Sequence, residues 1–144
     1  MEPRVSLITL GVRDLARARA FYEALGWHGQ QIEGTVFVQA GGLGLVLWGR
    51  DELTDDARIT DDGGSYGGMA LAHNVRSREE VDQIIAVAEA AGATITKPPE
   101  PTIYGYGAYF RDPDGHVWEI GHNPGFTLEP DGSLTLPDFG DAAT

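Results

Sequence analysis

Leu7-Ile8-Thr9-Leu10-Gly11-Val12-Arg13 and Ala70-Leu71-Ala72-His73-Asn74-Val75-Arg76 can be laid one over the other, and doing so brings the segments after each of them into register. The first lies in Val5 to Val12, an alternating run rich in Leu and β-branched residues that reads as a strand. Asp14 then offers an N-cap, Leu15, Ala18, Phe21, Tyr22 and Leu25 fall on one helical face, and Gly26 supplies a left-handed stop. The second lies in a strand over Met69 to Val75. After it, Ser77 and Glu80 form a capping box, Val81, Ile84, Ile85, Ala88 and Ala91 form the apolar stripe, and Gly92 ends the helix. Short strands are predicted after both helices: Trp27 to Glu33, Thr35 to Ala40 and Leu43 to Trp48 in the first half, and Ala93 to Lys97, Tyr106 to Arg111 and His116 to Gly121 in the second. Gly41-Gly42 makes a tight hairpin between two of them. The chain thus reads as a tandem duplication of a βαβββ unit with a period of roughly sixty-odd residues.

This pattern makes one domain: a first module over 1–50, a connector over 51–68, a second module over 69–123 and a tail over 124–144. The connector is polar, acidic and Gly-rich without apolar periodicity, so an exposed link is expected rather than an element. The tail carries Phe126, Leu128, Leu134 and Leu136 around a turn at Pro130-Asp131-Gly132, which predicts a segment folded back as a lid or across a partner. Its last residues, Gly140 to Thr144, are expected to fray.

With 10 Lys and Arg against 22 Asp and Glu, the net charge of -12 argues against nucleic acid and against anionic membrane surfaces, since both require a basic face. The absence of cysteine excludes disulfides, thiolate metal sites and a Cys nucleophile, and it fits a reducing compartment. MEPRVSLITL has no basic region leading into a long apolar run, and no stretch is long enough to span a bilayer, so a cytoplasmic address is expected. The run Gly41-Gly42-Leu43-Gly44 is not a phosphate loop, because neither a Lys-Ser/Thr pair nor a helix comes after it.

Two motifs carry a family resemblance. One is Gly11-Val12-Arg13-Asp14-Leu15 leading into a helix with Phe21-Tyr22 and Leu25-Gly26. The other is Tyr104-Gly105-Tyr106-Gly107, then Phe110-Arg111-Asp112-Pro113-Asp114-Gly115-His116 and Val117-Trp118-Glu119-Ile120. Over about Val5 to Asn123 the chain resembles the vicinal-oxygen-chelate superfamily of glyoxalases, bleomycin-resistance proteins and dioxygenases. The resemblance implies an α+β fold in which tandem βαβββ modules form a curved mixed sheet, a cup with helices on its convex side. It also implies up to four metal-ligand positions, one on the first and one on the last strand of each module.

Here those positions fall on Leu7, Ala70, Leu47 (or Trp48 if the register slips) and Glu119, and only Glu119 is a ligand type. One carboxylate does not hold a catalytic cation against water, so no cofactor is predicted and a divalent metal is disfavoured. By the period of two, His116 and His122 point away from the face that Glu119 shares with Val117 and Gly121, and His73 falls on the helix-packing face with Leu71 and Val75. The cup is then expected to be lined by Leu7, Thr9, Leu47, Ala70, Ala72 and Glu119, with Trp48, Tyr104, Tyr106 and Tyr109 at its rim or floor. Such a lining suits an apolar or aromatic ligand. A carboxylate in that setting costs desolvation unless an Arg or a tyrosine hydroxyl answers it.

The leading expectation is a metal-independent small-molecule binder, similar to the antibiotic-sequestering branch of the superfamily and working as a homodimer. A lyase, isomerase or dioxygenase-type enzyme using a metal or Glu119 as acid and base is the alternative. A non-catalytic structural or regulatory subunit is the third.

Overall fold

In the computed structural model, which describes residues 1–64 and 66–140, strand β1 (Leu7–Val12) leads directly into helix α1 (Leu15–Ala24). Asp14 fixes the turn between them, its carboxylate accepting the Arg17 backbone N–H at 3.0 Å. The helix stops at Gly26, whose φ of +90° a side chain would resist. Strands β2 (Gln30–Ile32), β3 (Thr35–Ala40) and β4 (Leu43–Gly49) complete the first module. The connector carries helix α2 (Arg50–Ala57). The second module repeats the first with β5 (Leu71–Asn74), α3 (Arg78–Ala90), β6 (Thr94–Pro101), β7 (Tyr106–Arg111) and β8 (Val117–His122). Ser77 caps α3 by accepting the Glu80 N–H at 3.2 Å, while Glu80 reaches back to the backbone N–H of Arg76, one residue before the cap. The end expected to fray includes 141–144, which lie outside the described residues.

Each module builds a four-stranded sheet of the same order, β1-β4-β3-β2 and β5-β8-β7-β6, with β1 parallel to β4 and β5 parallel to β8. Among the described residues no strand ladder joins the two sheets, so the expected curved mixed sheet is built as two half-sheets. A small hairpin of β9 (Thr127–Leu128) and β10 (Leu134–Thr135) lies in the tail.

Two expectations are corrected. Helix α2 occupies a segment that reads as a featureless connector. It has no buried residue to make an apolar stripe; Asp51 and Glu52 favour its N-terminus electrostatically. A Cβ on Gly11 would sit 3.3 Å from Arg50 Cα and 3.4 Å from Leu53 Cδ2, so the missing side chain at Gly11 gives α2 its seat on β1. The Arg50 guanidinium then grips both carboxylate oxygens of Asp61 and the Gly64 carbonyl, fixing the loop beyond the helix. Strand β6 in turn runs past Lys97 through Pro98 and Pro99. It is an edge strand, and its pairing with β7 shifts register between Ile95 and Lys97 and again between Lys97 and Glu100, which relieves the prolines of ladder duty.

One core joins the halves, uniting Leu10, Phe21, Tyr22, Leu45 and Leu47 of the first module with Val81, Ile85, Phe110, Trp118 and Ile120 of the second. The Asp-Pro-Asp-Gly hairpin is the clasp. Asp112 accepts from Tyr22 Oη at 2.7 Å and from the backbone N–H groups of Asp114 and His116 at 2.9 and 2.8 Å. Trp118 Nε1 donates to Tyr22 Oη at 3.1 Å. Asp114 accepts the Arg13 N–H at 2.9 Å and the Arg17 guanidinium at 3.1 Å, and His116 Nε2 lies 2.8 Å from the Gly11 carbonyl oxygen. Both aspartates are buried, so a motif that carries the family resemblance is also the polar seam between modules.

Candidate functional site on the open face of the second module

Alternation along the strands divides each sheet into a helix-covered face and an open one. On the open face of the second module, cross-strand pairing sets Lys97, Tyr109, Glu119 and Ala72 in one row across β6, β7, β8 and β5. The matching row of the first module is Gln30, Phe37, Val46 and Thr9. An acid and a phenol in one half therefore answer to an aliphatic and a benzyl side chain in the other.

The second-module row floors a cavity of about 1020 Å³. Its walls come from the turn at Ile103 and Tyr104 and from Phe126, Pro137 and Phe139 of the tail, and every described lining residue belongs to the second module or the tail. The turn depends on Gly105, where a Cβ would fall 2.1 Å from the His122 carbonyl oxygen. Thr102 Oγ1 accepts the backbone N–H groups of Tyr104 and Gly105 at 3.2 and 3.0 Å.

The residues predicted for a single cup are distributed more widely than expected. Ala72, Tyr104, Tyr109 and Glu119 share this cavity. Thr9 lines a separate cleft of about 530 Å³ beneath α2 and residues 59–62 of the loop after it. Leu7, 56% exposed, begins β1 on the first module's open face, and Ala70 is exposed just before β5. Leu47 is not a lining residue. It pairs with Leu10 and Val36 in the core and is fully buried; the open face of β4 carries Val46 and Trp48 instead, the one-residue slip that inverts a strand's faces. Trp48 sits opposite Gly11 and Thr35, away from the cavity. Tyr106 is also corrected. It begins β7, two residues from buried Ala108, and so faces the helix layer, where its hydroxyl donates to Asp82 at 2.7 Å and Arg78 lies 5.2 Å over its ring.

Glu119 is answered by Tyr109. Desolvation, followed by the charge of its cross-strand neighbour Glu119, raises the Tyr109 phenol above its ordinary pKa. Lys97, on the other side of Tyr109, lies 3.6 Å from Glu100. Asn123 Nδ2 donates to Asn74 Oδ1 at 2.9 Å on the same lining. The sequence reading missed Lys97, Asn74 and Phe139, while Phe126 was read as part of a tail expected to fold back as a lid or across a partner. Alternation from Ala72 would have found Asn74, and the apolar residues of the tail announce a return without marking which face it reaches.

This donor set does not fit a divalent cation. Beside Glu119 stand a phenol, an ammonium and amides, and among the described residues no three His, Cys, Asp or Glu side chains converge. The histidines serve elsewhere. His122 Nδ1 lies 3.2 Å from the Val75 carbonyl oxygen, and His73, paired with Ile120, lines a helix-side cleft whose desolvation lowers its pKa.

Comparison with known proteins identifies the class. The chain belongs to the Glyoxalase/Bleomycin resistance protein/Dioxygenase superfamily, whose family model matches residues 4–120. Its fold superposes on that of a glyoxalase-related enzyme from Fulvimarina pelagi with a TM-score of 0.87 and 36% identity, covering 93% of this chain and 98% of that one. A glyoxalase/bleomycin resistance protein/dioxygenase family enzyme from Burkholderia phytofirmans matches with a TM-score of 0.71 and 27% identity, over 82% and 97% of the two chains. A lactoylglutathione lyase from Agrobacterium tumefaciens shares the fold at a TM-score of 0.62 and 24% identity, over 83% and 93%. No curated protein matches the chain significantly. Among the described residues no helix is long and apolar enough to cross a membrane.

Proposed function

We propose that the chain binds an apolar or aromatic small molecule, independently of metal, on the open face of its second module, as antibiotic-sequestering members of the superfamily do. The observation that carries this reading is the cross-strand pair of Tyr109 and Glu119 on the floor of an aromatic-walled cavity. The walls supply stacking area and the carboxylate orients a donor group of the ligand. A net charge of -12 favours a cationic molecule over an anionic one. A cytoplasmic setting fits the absence of cysteine.

The working unit in this reading is a homodimer. Leu7, Ile32 and Phe37, exposed by 56%, 62% and 40%, all lie on the open face of the first module, a surface that a second copy would cover.

An acid–base enzyme is the competing reading, favoured by the proton that Tyr109 holds beside the Glu119 carboxylate and by the 36%-identical neighbour described as an enzyme. Replacing Glu119 by Gln separates the two. In calorimetric titration with bleomycin and with flat aromatic amines, a binder loses about tenfold in affinity, the equivalent of one hydrogen bond to a charged group. An enzyme would keep its affinity and lose about two to four powers of ten in turnover. Unchanged affinity with no turnover in either protein would reject both.

A further inference from the structure

The tail is built as a fastened hairpin rather than a loose end. Arg76, at the start of the second module's helix, donates through Nη2 to the Glu129 carbonyl at 2.7 Å and through Nη1 to the Leu128 carbonyl at 3.3 Å. Across the hairpin the Glu129 N–H bonds the Ser133 carbonyl at 2.8 Å, and Thr135 Oγ1 donates to the Glu129 carboxylate at 2.8 Å. Fastening this hairpin directs the next residues, Pro137 and Phe139, to the cavity floored by Tyr109 and Glu119, where Phe126 joins them from the hairpin's entry.

Phe139 is nevertheless 64% exposed, and the opposing Ile103 and Tyr104 are 91% and 74% exposed. Two apolar flanks thus overhang a polar floor with much of their surface in water, and bringing them together would bury that surface.

We infer that the C-terminal segment is a strap that closes over the second-module cavity, with Arg76 as its latch and Phe139 as the group that covers a flat apolar molecule from above. Its function rests on the reading of that cavity as the ligand site, but its geometry can be tested without any ligand.

The chain has no cysteine, so Tyr109→Cys places a single thiol on the cavity floor. The rate of its reaction with the bulky reagent fluorescein-5-maleimide is compared in three forms of the chain: the Tyr109→Cys chain itself, the same chain with Arg76→Ala added, and the same chain ended after Leu136. A thiol introduced by Val87→Cys on the helix layer serves as control. The strap requires the floor thiol to react about threefold faster or more when it is unlatched or removed, with the control rate unchanged, because access then no longer waits on local opening. Equal rates in all three forms overturn the strap. Should the shortened chain fail to fold, Arg76→Ala, at an exposed side chain, decides alone. If the rate difference is seen while the parent chain, with Tyr109 intact, binds no aromatic ligand, the binding reading is retired and the strap stands.

Discussion

Tyr22 shows how much a single hydroxyl can carry. It donates to buried Asp112 and accepts from Trp118, and burial, followed by the Asp112 charge, lifts its pKa far above the phenol range. The native state therefore keeps a proton that the unfolded chain gives up near pH 10. Stability linked to this group is complete below that pH and falls as pH rises, by about 1.4 kcal/mol per unit. Tyr22→Phe is expected to cost about 1–3 kcal/mol at neutral pH by stranding its partners, and to flatten the alkaline slope. Urea unfolding of both proteins at pH 8, 10.5 and 11.5 checks it; an unaltered slope would show that Tyr22 ionises normally. At this scale the sequence was informative where alternation was clean: Glu119, Ala72 and Tyr109 fall together on the open face. It misled at Leu47, because in a run as uniformly apolar as Leu43 to Trp48 nothing marks which alternate set faces the helix.

Elements were legible in proportion to their local signals. Both long helices begin at Asp14 and Ser77 and stop at Gly26 and Gly92, each a short-range rule. Helix α2 went unread because its stability comes from charge and from a seat on Gly11 rather than from an apolar stripe. The 102–105 turn was expected at the rim, but its need for glycine comes from a tertiary contact, a carbonyl on the neighbouring strand β8. Gly105→Ala would place a methyl against the His122 carbonyl oxygen and is expected to destabilise the fold by about 1–3 kcal/mol, the usual range for overpacking. Gly125→Ala, in open space, should cost far less. Thermal unfolding of both variants measures the difference, and equal losses would mean that the turn adjusts without strain.

For the molecule as a whole, the duplication fixes architecture while leaving assembly open. Phe37→Asp places a charge on the exposed apolar face of the first module, away from the second-module cavity. Sedimentation velocity should show a dimer for the parent chain and a monomer for the variant, whose thermal stability at low concentration stays close to the parent's. A parent chain that sediments as a monomer at all concentrations would refute the dimer.

The buried clasp between Tyr22, Asp112 and Trp118 also governs the order in which the protein can be made. During synthesis the first module emerges with the hydroxyl of its central tyrosine unanswered, because the carboxylate and indole that bond it arrive some ninety residues later. Because one core is shared by both halves, the apolar surface of the nascent first half stays uncovered until the hairpin at Asp112 emerges and lets both become stable together.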